Sequence, residues 1–302
     1  MRVLICDPLA ESAVARLKAA GLEVVEKPGM SQEELAAELA KGYEAVVVRS
    51  ATKVRKPAID AARGLRLIVR AGVGLDNIDV EYAREKGIEV RNTPRASTVS
   101  VAELALAHML ALARALPQAT LSLREGRWEK KAFKGVELSG KTLGVVGIGR
   151  IGQAVARRAL ALGMRVVAYD KFVKESPIPE VRMVPMDQLL READFVTLHV
   201  PADPAGPVIG KEEIAKMKDG AFLINCARGG VVDEAALLEG LNSGKLAGAG
   251  LDVFQEEPPK NMELLRHPKV SLTPHIGAQT KEAQSRVGEE VVDILLEFAR
   301  SA

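Results

Sequence analysis

The fold is decided by one stretch, Thr142-Leu143-Gly144-Val145-Val146-Gly147-Ile148-Gly149-Arg150-Ile151-Gly152. Its aliphatic half predicts a buried strand. A glycine-rich turn follows and opens a helix whose apolar residues recur at helical spacing. Gly147 permits the tight turn, Gly149 lets backbone approach a pyrophosphate, and Gly152 lets helix and strand pack closely. The stretch therefore predicts a dinucleotide site with phosphates at the helix N-terminus.

An acid at the end of the next predicted strand extends this motif. Asp170 follows residues 165–169 and lies eighteen positions after Gly152. A carboxylate there accepts hydrogen bonds from the adenosine ribose and repels a 2′-phosphate, so NAD is favoured over NADP. The adjacent Lys171 weakens that preference slightly. The alternative, a glycine-rich turn that binds nothing, is disfavoured because strand, helix and acid occur together.

Short aliphatic runs alternate with amphipathic stretches along the chain. The predicted strands are residues 3–6, 22–25, 45–48, 67–69, 88–90, 142–146, 165–169, 195–198, 221–224, 247–251 and 270–272, and helices are predicted at residues 10–20, 31–40, 100–116 and 280–298. This alternation predicts an α/β fold of two parallel-sheet units, with a boundary near residues 93–100. Helix 100–116 is apolar nearly all round, which indicates a core helix or a subunit interface, and the polar residues 118–140 form an arm after it.

Composition excludes several classes of protein. The chain has 302 residues, 47% of them hydrophobic and 27% charged, which indicates about two domains and excludes a disordered chain. No apolar run spans a bilayer, and Asp7 comes too early for a signal peptide. Cys6 and Cys226 cannot form a disulfide framework or a zinc site. A net charge of +2 and 3% aromatic residues argue against nucleic-acid binding. We expect a cytoplasmic protein without a metal.

Three ionisable residues follow predicted strands of the second unit. Arg228 precedes Gly229-Gly230, Glu257 precedes two prolines, and His275 follows Thr273-Pro274. Since ligands bind beyond the carboxyl ends of parallel strands, these side chains should face one site. A histidine removes an alcohol proton, a carboxylate orients its ring, and an arginine grips a carboxylate, which together fit alcohol oxidation. Each also has a structural alternative as a turn or loop residue.

The other histidines have weaker contexts. His108 lies in the apolar helix and is expected to be a core or interface residue. His199 ends a predicted strand, where lining a cofactor site stays open. His267 has no suggestive neighbours.

Four motifs in order carry a resemblance: residues 147–152, Asn225-Cys226-Ala227-Arg228-Gly229-Gly230, Leu251-Asp252-Val253-Phe254-Gln255-Glu256-Glu257-Pro258-Pro259 and Thr273-Pro274-His275-Ile276-Gly277-Ala278. Together they make the whole chain similar to the NAD-dependent D-2-hydroxyacid dehydrogenases. The resemblance implies an NAD-binding Rossmann domain, residues 96–279, inserted into a flavodoxin-like substrate domain, residues 1–95 and 280–302. It also implies a homodimer, with a tetramer left open, built through the helix and arm at residues 98–140.

The same resemblance implies roles for individual residues. Arg228, Glu257 and His275 take the catalytic roles. NAD contacts are implied for Gly147, Gly149, Arg150, Ile151, Gly152, Asp170, Val200, Cys226, Ala227, Arg228, Asp252, His275, Gly277 and Ala278.

The first unit narrows the implied substrate. Residues 48–52, 69–77, the arm at 126–133 and the tail at 280–286 resemble the branch of the family that oxidises D-3-phosphoglycerate. A phosphate and a carboxylate on one substrate call for cations at both ends. Substrate contacts are then implied for Arg49, Ser50, Arg70, Val73, Gly74, Arg228 and His275, with a backbone anion nest at residues 71–74. Surface charge is the alternative for the two arginines, and whether Lys130 or Lys131 reaches a partner's site stays open.

One segment of the chain departs from the pattern of this family. Arg95-Ala96-Ser97 stands where many relatives carry a Gly-Asn or Ser-Asn pair, which puts local hinge contacts in doubt. Longer relatives append serine-sensing domains, and none is recognisable here, so no serine feedback through such a domain is expected.

Two other functions remain open from the residues. A glyoxylate or hydroxypyruvate reductase of the same family would share every catalytic motif and differ only at Arg49 and Arg70. A non-enzymatic NAD-sensing protein, like the corepressors of this fold, would bind partner proteins and turn over poorly.

Overall fold

The computed structural model describes residues 1–301, which divide into two compact units. One unit combines residues 1–97 with the segment that begins at Ala278, and the other runs from Thr98 to Gly277. These bounds lie within two or three residues of the division expected from the resemblance.

Both units are built of parallel strands and covering helices. The strands are β1 Arg2–Ile5, β2 Glu23–Glu26, β3 Ala45–Val48, β4 Leu67–Arg70, β5 Glu89–Asn92, β6 Thr142–Val146, β7 Arg165–Tyr169, β8 Val181–Met183, β9 Phe195–Leu198, β10 Ala221–Asn225, β11 Leu246–Leu251 and β12 Val270–Leu272. The helices are α1 Glu11–Ala19, α2 Gln32–Leu39, α3 Lys56–Ala61, α4 Val80–Glu85, α5 Thr98–Ala113, α6 Leu116–Arg124, α7 Arg150–Ala161, α8 Met186–Glu192, α9 Lys211–Lys216, α10 Glu234–Asn242, α11 Met262–Arg266 and α12 Lys281–Ser301, with a 3-10 turn at Lys130–Phe133.

The discontinuous unit holds a five-stranded parallel sheet in the order β2-β1-β3-β4-β5. Its central strand β3, Ala-Val-Val-Val, is buried along its whole length, as expected for a strand covered on both faces. The C-terminal α12 packs on α1, where a Cβ at Gly288 would lie 2.9 Å from the Ala13 Cβ. This part of the core therefore uses segments from opposite ends of the sequence.

The buried carboxylate of Glu38 is hydrogen-bonded to three side chains of this unit. Glu38 is 6% exposed and accepts hydrogen bonds from Lys27 Nζ at 2.6 Å, Lys41 Nζ at 2.8 Å and Tyr43 Oη at 2.6 Å. These donors stabilise the ionised carboxylate and hold the pKa of Glu38 at about 2.

The continuous unit holds a seven-stranded parallel sheet in the order β12-β11-β10-β9-β6-β7-β8. Two buried apolar clusters cover its faces. The chain runs outward from β6 through β7 and β8, then returns to β9 on the other side of β6. Such a reversal opens a crevice at the carboxyl ends of the two strands, which is where ligands bind in open α/β sheets.

The apolar helix lies against this sheet. α5 packs on α7 and on β10, β11 and β12. Gly248 and Gly250 of β11 make room for it, because a Cβ at these positions would lie 3.0 Å from Leu112 Cδ2 and 2.7 Å from His108 Cβ. The predicted core role of the helix is confirmed.

Three details differ from the predicted elements. The apolar helix runs from Thr98 to Ala113 rather than to residue 116, because Ala115 takes a left-handed φ of 46°. Pro117 then stands in the first turn of α6, so the predicted arm begins with a second helix. The prediction also missed β8 and the helices α3, α8, α9, α10 and α11, which are short and offer few turns for periodicity to reveal.

Within residues 1–301, no single helix has the length and apolar character to cross a membrane. The bent pair α5–α6, with an angle of 63° between the two helices, meets the length and composition requirement only when both are counted together. Ala102, Ala105 and Met109 of α5 are wholly buried in the core of the unit.

Candidate functional site

The glycine-rich turn between β6 and α7 lies at the reversal point of the sheet. Gly147 has a φ of 91°, and a Cβ there would lie 2.5 Å from the His199 carbonyl oxygen and 2.8 Å from Val200 Cγ1. A Cβ at Gly152 would lie 2.0 Å from the Gly147 carbonyl oxygen. The turn therefore admits no side chain at either glycine, and α7 starts directly against it.

Gly149 is open where the other two glycines are crowded. Apart from its two neighbours in the chain, no residue in the described range 1–301 has an atom within 4 Å of the position that its Cβ would occupy. Gly149 forms the N-cap of α7 without a side-chain cap. The exposed Arg150 and half-buried Ile151 begin the helix. Open space beside uncapped N–H groups at a positive helix end fits the pyrophosphate of a dinucleotide.

Asp170 joins this turn to the end of β7. Its Oδ2 accepts a hydrogen bond from Ile148 N at 2.9 Å, and its Oδ1 accepts from Phe172 N at 2.8 Å and Val173 N at 3.1 Å. These N–H groups offset the effect of burial and hold the pKa of Asp170 below its usual value. The ionised carboxylate fits an NAD ribose better than a 2′-phosphate. Lys171 Nζ lies 5.8 Å from the centroid of the exposed Phe172 ring.

Arg228, Glu257 and His275 follow β10, β11 and β12, which are neighbours in the sheet. His275 Nδ1 lies 2.7 Å from Glu257 Oε2, and both side chains are partly exposed. Glu257 Oε1 also accepts from Phe254 N at 3.2 Å. His275 has a φ of 52°, a conformation that a residue with a side chain seldom adopts, so the surrounding loop must hold it.

Asp252 provides that hold. Its carboxylate is 1% exposed and accepts from Thr273 Oγ1 at 2.6 Å, Ile276 N at 2.8 Å and Gly277 N at 2.8 Å. Its carbonyl oxygen accepts from His275 N at 2.8 Å. The resemblance implied an NAD contact here, but in this structure the carboxylate is directed into the loop and fixes residues 273–277.

The loop of Arg228 lies against the loop of Glu257. A Cβ at Gly229 would lie 1.7 Å from the Phe254 carbonyl oxygen, so the two backbones are in direct contact. Asn225 bridges the turn by donating to the Arg228 carbonyl oxygen at 2.9 Å and accepting from Ala227 N at 3.0 Å. Arg228 Nη1 donates to the Ala227 carbonyl oxygen at 2.7 Å. The contact places the loop that carries Arg228 against the backbone of Phe254, whose N–H group donates to Glu257.

Cys226 lies beneath this loop and is buried. Burial raises the pKa of its thiol, which removes it as a nucleophile at neutral pH. Ala227 is half-buried, and Ala278, in the discontinuous unit, accepts a hydrogen bond from Gln284 Nε2 at 2.8 Å.

A cavity of about 400 Å³ adjoins the histidine–glutamate pair within the continuous unit. Its walls are mainly apolar, with Glu257 and His275 among the lining residues: Phe254, Glu257, Pro258, Pro259, Leu265, Leu272, Thr273, Pro274 and His275.

The candidate substrate residues of the discontinuous unit lie at the ends of adjacent strands. Arg49 follows β3 and Arg70 ends β4. Arg49 N donates to Asp7 Oδ2 at 2.5 Å, and burial lowers the pKa of the half-buried guanidinium. Arg70 Nη1 lies where a Cβ of Gly72 would be, 1.2 Å from that position. Ser50 is exposed.

The anion nest predicted at residues 71–74 is wrong in its first half. Ala71 N donates to the Val48 carbonyl oxygen at 2.8 Å, and Gly72 N donates to the Arg70 carbonyl oxygen at 2.9 Å. The backbone itself therefore uses two of the four N–H groups. Asn92 Nδ2 donates to the Val73 carbonyl oxygen at 2.5 Å, and Val73 and Gly74 are half-buried.

The remaining histidines differ from one another. His108 is 2% exposed, as a core residue should be, but both its ring nitrogens are hydrogen-bonded. His199 Nε2 lies 3.0 Å from Thr197 Oγ1, and burial lowers the pKa of the ring to about 4. His267 Nδ1 accepts from Lys269 N at 3.2 Å. Lys130 and Lys131 are exposed on the 3-10 turn.

Known proteins are similar to this chain. The model of the D-isomer specific 2-hydroxyacid dehydrogenase NAD-binding domain matches residues 106–277. A D-3-phosphoglycerate dehydrogenase from Archaeoglobus fulgidus is 49% identical over 99% of this chain, but this chain spans only 58% of that protein. A hydroxypyruvate reductase from Thermotoga maritima is 51% identical over 97% of this chain and 96% of its own length.

A solved structure is also similar to this chain. The D-lactate dehydrogenase from Aquifex aeolicus, complexed with NAD and lactic acid, has a TM-score of 0.89 and 33% identity over 99% of this chain and 96% of that chain. The chain therefore belongs to the D-isomer specific 2-hydroxyacid dehydrogenases, and its continuous unit carries that family's NAD-binding domain.

Proposed function

We propose that this protein catalyses hydride transfer between NAD and a 2-hydroxy acid, with D-3-phosphoglycerate as the substrate. The observation that carries the reaction type is the 2.7 Å contact between His275 Nδ1 and Glu257 Oε2. Because Glu257 engages Nδ1, the other ring nitrogen, Nε2, exchanges the proton with the substrate hydroxyl.

The chain supplies the acid–base and binding parts of the reaction. In oxidation, His275 Nε2 takes the hydroxyl proton while the C–H bond gives up its electron pair as hydride. NAD, when bound, accepts that hydride. The Glu257 carboxylate stabilises the imidazolium that forms, and Arg228 binds the substrate carboxylate and polarises the adjacent oxygen. In the reverse direction His275 returns the proton to the ketone oxygen.

Arg49 and Arg70 support a phosphorylated substrate. Two guanidinium groups at the ends of adjacent strands match the charge of a phosphate, and the pKa of Arg49 is lowered by burial. A partly desolvated cation gains more from an anionic partner than an exposed cation does. We assign the substrate phosphate to these two arginines, Ser50 and the backbone at Val73 and Gly74.

A second candidate is reduction of hydroxypyruvate or glyoxylate. The observation that favours it is the Thermotoga maritima hydroxypyruvate reductase, which matches this chain over nearly its whole length. It requires the same catalytic trio and leaves the two arginines without a phosphate.

The test is oxidation of NADH by the purified protein with 3-phosphohydroxypyruvate, hydroxypyruvate, glyoxylate and 2-oxoglutarate in parallel. Phosphoglycerate oxidation predicts a kcat/KM at least about 100-fold higher for the phosphorylated keto acid, since two charged hydrogen-bonded pairs contribute about 1.5–3 kcal/mol each. Arg49→Gln should remove most of this preference, whereas Arg55→Gln, which breaks the pair with Asp79, should not. Equal or better turnover of hydroxypyruvate selects the second candidate.

The acid–base assignment is tested separately. His275→Ala should lower kcat by at least about 1000-fold, since a positioned acid–base group contributes about 10²–10⁴-fold, with little change in the Kd for NAD by calorimetry. His267→Ala is the matched control and should retain activity. Wild-type-like turnover in His275→Ala would refute the assignment. Absence of turnover in the wild-type protein with every keto acid, together with NAD binding, would favour an NAD-sensing protein.

We further propose a cytoplasmic homodimer built through residues 98–140. Large apolar side chains are exposed along this segment: Val99, Leu110, Leu116, Leu121, Leu123, Trp128 and Val136. Several exposed apolar side chains within one segment support a protein interface there. Light scattering should give the mass of a dimer, and Leu121→Asp should give a monomer. A wild-type monomer at micromolar concentration would exclude this interface.

A further inference from the structure

A chain of buried hydrogen bonds connects α5 to the loop that holds His275. His108 Nδ1 lies 2.9 Å from Ser271 Oγ, and His108 Nε2 lies 3.0 Å from Thr273 Oγ1. Thr273 Oγ1 donates to Asp252 Oδ1 at 2.6 Å. The same carboxylate accepts from the backbone N–H groups of Ile276 and Gly277. His108, the Thr273 hydroxyl and the Asp252 carboxylate therefore connect α5 to the backbone that follows the catalytic histidine.

A glycine in β11 leaves the space that this connection requires. Gly250 of β11 lies directly beneath His108, so any side chain at residue 250 would displace the imidazole. With glycine there, α5 comes close enough for the imidazole to reach past β11 to Ser271 and Thr273 on and after β12.

The direction of each hydrogen bond follows from the carboxylate. The Asp252 carboxylate accepts from two backbone N–H groups, and the Thr273 hydroxyl donates its proton to the same carboxylate. Thr273 Oγ1 then accepts from His108, which places the ring proton on Nε2. Burial lowers the pKa of His108 and keeps the ring neutral, so Nδ1 accepts from the Ser271 hydroxyl. The hydrogen bonds thus run in one direction, from His108 through Thr273 to Asp252, while Ser271 donates to the other ring nitrogen.

We propose that His108 is a positioning residue for proton transfer at His275, acting through Thr273 and Asp252. The proposal rests on the function proposed above, because it assigns His275 as the acid–base residue. His108 orients the Thr273 hydroxyl, this hydroxyl completes the donors around the Asp252 carboxylate, and the carboxylate holds the N–H groups at residues 276 and 277. His275 keeps its left-handed backbone only while this loop is fixed.

Loss of the connection should misplace His275 without unfolding the unit. Thr273→Val keeps the shape of the side chain and removes the hydroxyl, leaving a buried carboxylate one donor short. His108→Leu removes the donor at the other end. We expect either variant to lower kcat about tenfold, with KM for the keto acid changed less than about twofold, because small shifts of an acid–base group act on the chemical step.

Conservative variants and a matched control separate positioning from packing. Thr273→Ser and His108→Gln keep a donor in each place and should recover most of kcat. Ser271→Ala removes the other, more deeply buried hydrogen bond of the same imidazole, on the side away from Asp252, and should keep kcat within about twofold. The double variant His108→Leu with Thr273→Val should be no worse than either single variant, since both break one connection.

Three results would overturn the proposal. They are unchanged kcat in Thr273→Val, an equal loss of kcat in Ser271→Ala, or independent, multiplicative losses in the double variant.

A spectroscopic readout keeps this test apart from the proposed function. Nitrogen-15 NMR of wild-type protein should show His108 as the neutral tautomer with its proton on Nε2. Thr273→Val should shift the backbone amides of Ile276 and Gly277 more than Ser271→Ala does. These results are expected even if no keto acid is turned over, which would refute the proposed reaction alone. A proton on Nδ1, or equal amide shifts in the two variants, would refute the connection whatever the activity.

Discussion

The contact between the Arg228 loop and the Glu257 loop makes a sharp prediction for Gly229→Ala. The added Cβ would lie 1.7 Å from the Phe254 carbonyl oxygen and 2.4 Å from its carbonyl carbon. A comfortable approach of carbon to oxygen is roughly 3.3 Å, so one backbone must move by roughly 1.5 Å. Neither partner is a flexible side chain, and the movement therefore reaches Arg228 or Glu257 directly.

The expected cost is large in activity and moderate in stability. A displacement of about 1 Å at a reacting group can lower the rate about 100-fold, so kcat/KM should fall by about that factor or more. Overpacking of this kind destabilises by about 1–3 kcal/mol, or a few degrees in Tm.

Gly230→Ala is the control. Its φ of 77° is left-handed, but nothing lies within 4 Å of the added Cβ. It should cost about 1–2 kcal/mol of stability through backbone strain and change kcat/KM less than about threefold.

Steady-state kinetics and thermal unfolding of the two variants decide the matter together. The two should destabilise the protein by similar amounts and differ in activity by more than tenfold. If Gly229→Ala retains wild-type kcat/KM, or if the two lose activity in step with their Tm, the contact does not position the trio.

Three further outcomes are expected. Gly72→Ala should raise KM for 3-phosphohydroxypyruvate about tenfold and leave KM for hydroxypyruvate nearly unchanged, because the added Cβ displaces the guanidinium of Arg70. Equal changes in the two KM values would show that Arg70 does not bind the phosphate. The pKa of Glu38 falls from 4.5 to about 2 on folding, so its contribution is full above pH 4.5 and is lost as the pH falls through 2. Glu38→Gln should remove about 2–3 kcal/mol of stability at pH 7 and flatten the dependence of Tm on pH in that window; an unaltered pH dependence would contradict the assignment. Cys6 and Cys226 are both buried with the pKa of each thiol raised, so a thiol reagent should label the native protein only as fast as it unfolds, and rapid labelling would show that one is accessible.

The sequence predicted most of the architecture because short aliphatic runs mark buried strands. All strands except β8 were predicted, as were α1, α2, α5, α7 and α12 in outline. The ends of the elements were less predictable. α5 stops at Ala113 because Ala115 adopts a left-handed backbone, and alanine seldom adopts this conformation, so its presence in the sequence does not predict a helix end. Short elements such as β8 form by pairing with a neighbouring strand. A local sequence pattern does not show that pairing, so the strand was not predicted.

Part of the candidate site was predicted from the sequence, and part was not. Arg228, Glu257 and His275 were found from residue type and from their places after strands. The structural use of Asp252 was not, because its partners, Thr273 and the N–H groups of residues 276 and 277, come from another strand end. The hydrogen bonds of His108 also depend on partners over 160 positions away. The alternating Gly248 and Gly250 were the available signal, since glycines on one face of a strand mark a close neighbour.

The packing of α12 on α1 has a consequence for synthesis of the protein on the ribosome. The first 97 residues emerge early, but the helix that covers α1 emerges only after the 180 residues of the continuous unit. At about 5–20 residues per second this interval is roughly 10–40 s. During that time Val14 and Leu17 of α1 lack their final cover, while the continuous unit already has its whole sequence. The inserted unit is thus free to fold first, and the nascent N-terminal segment is the part that a chaperone would have reason to hold.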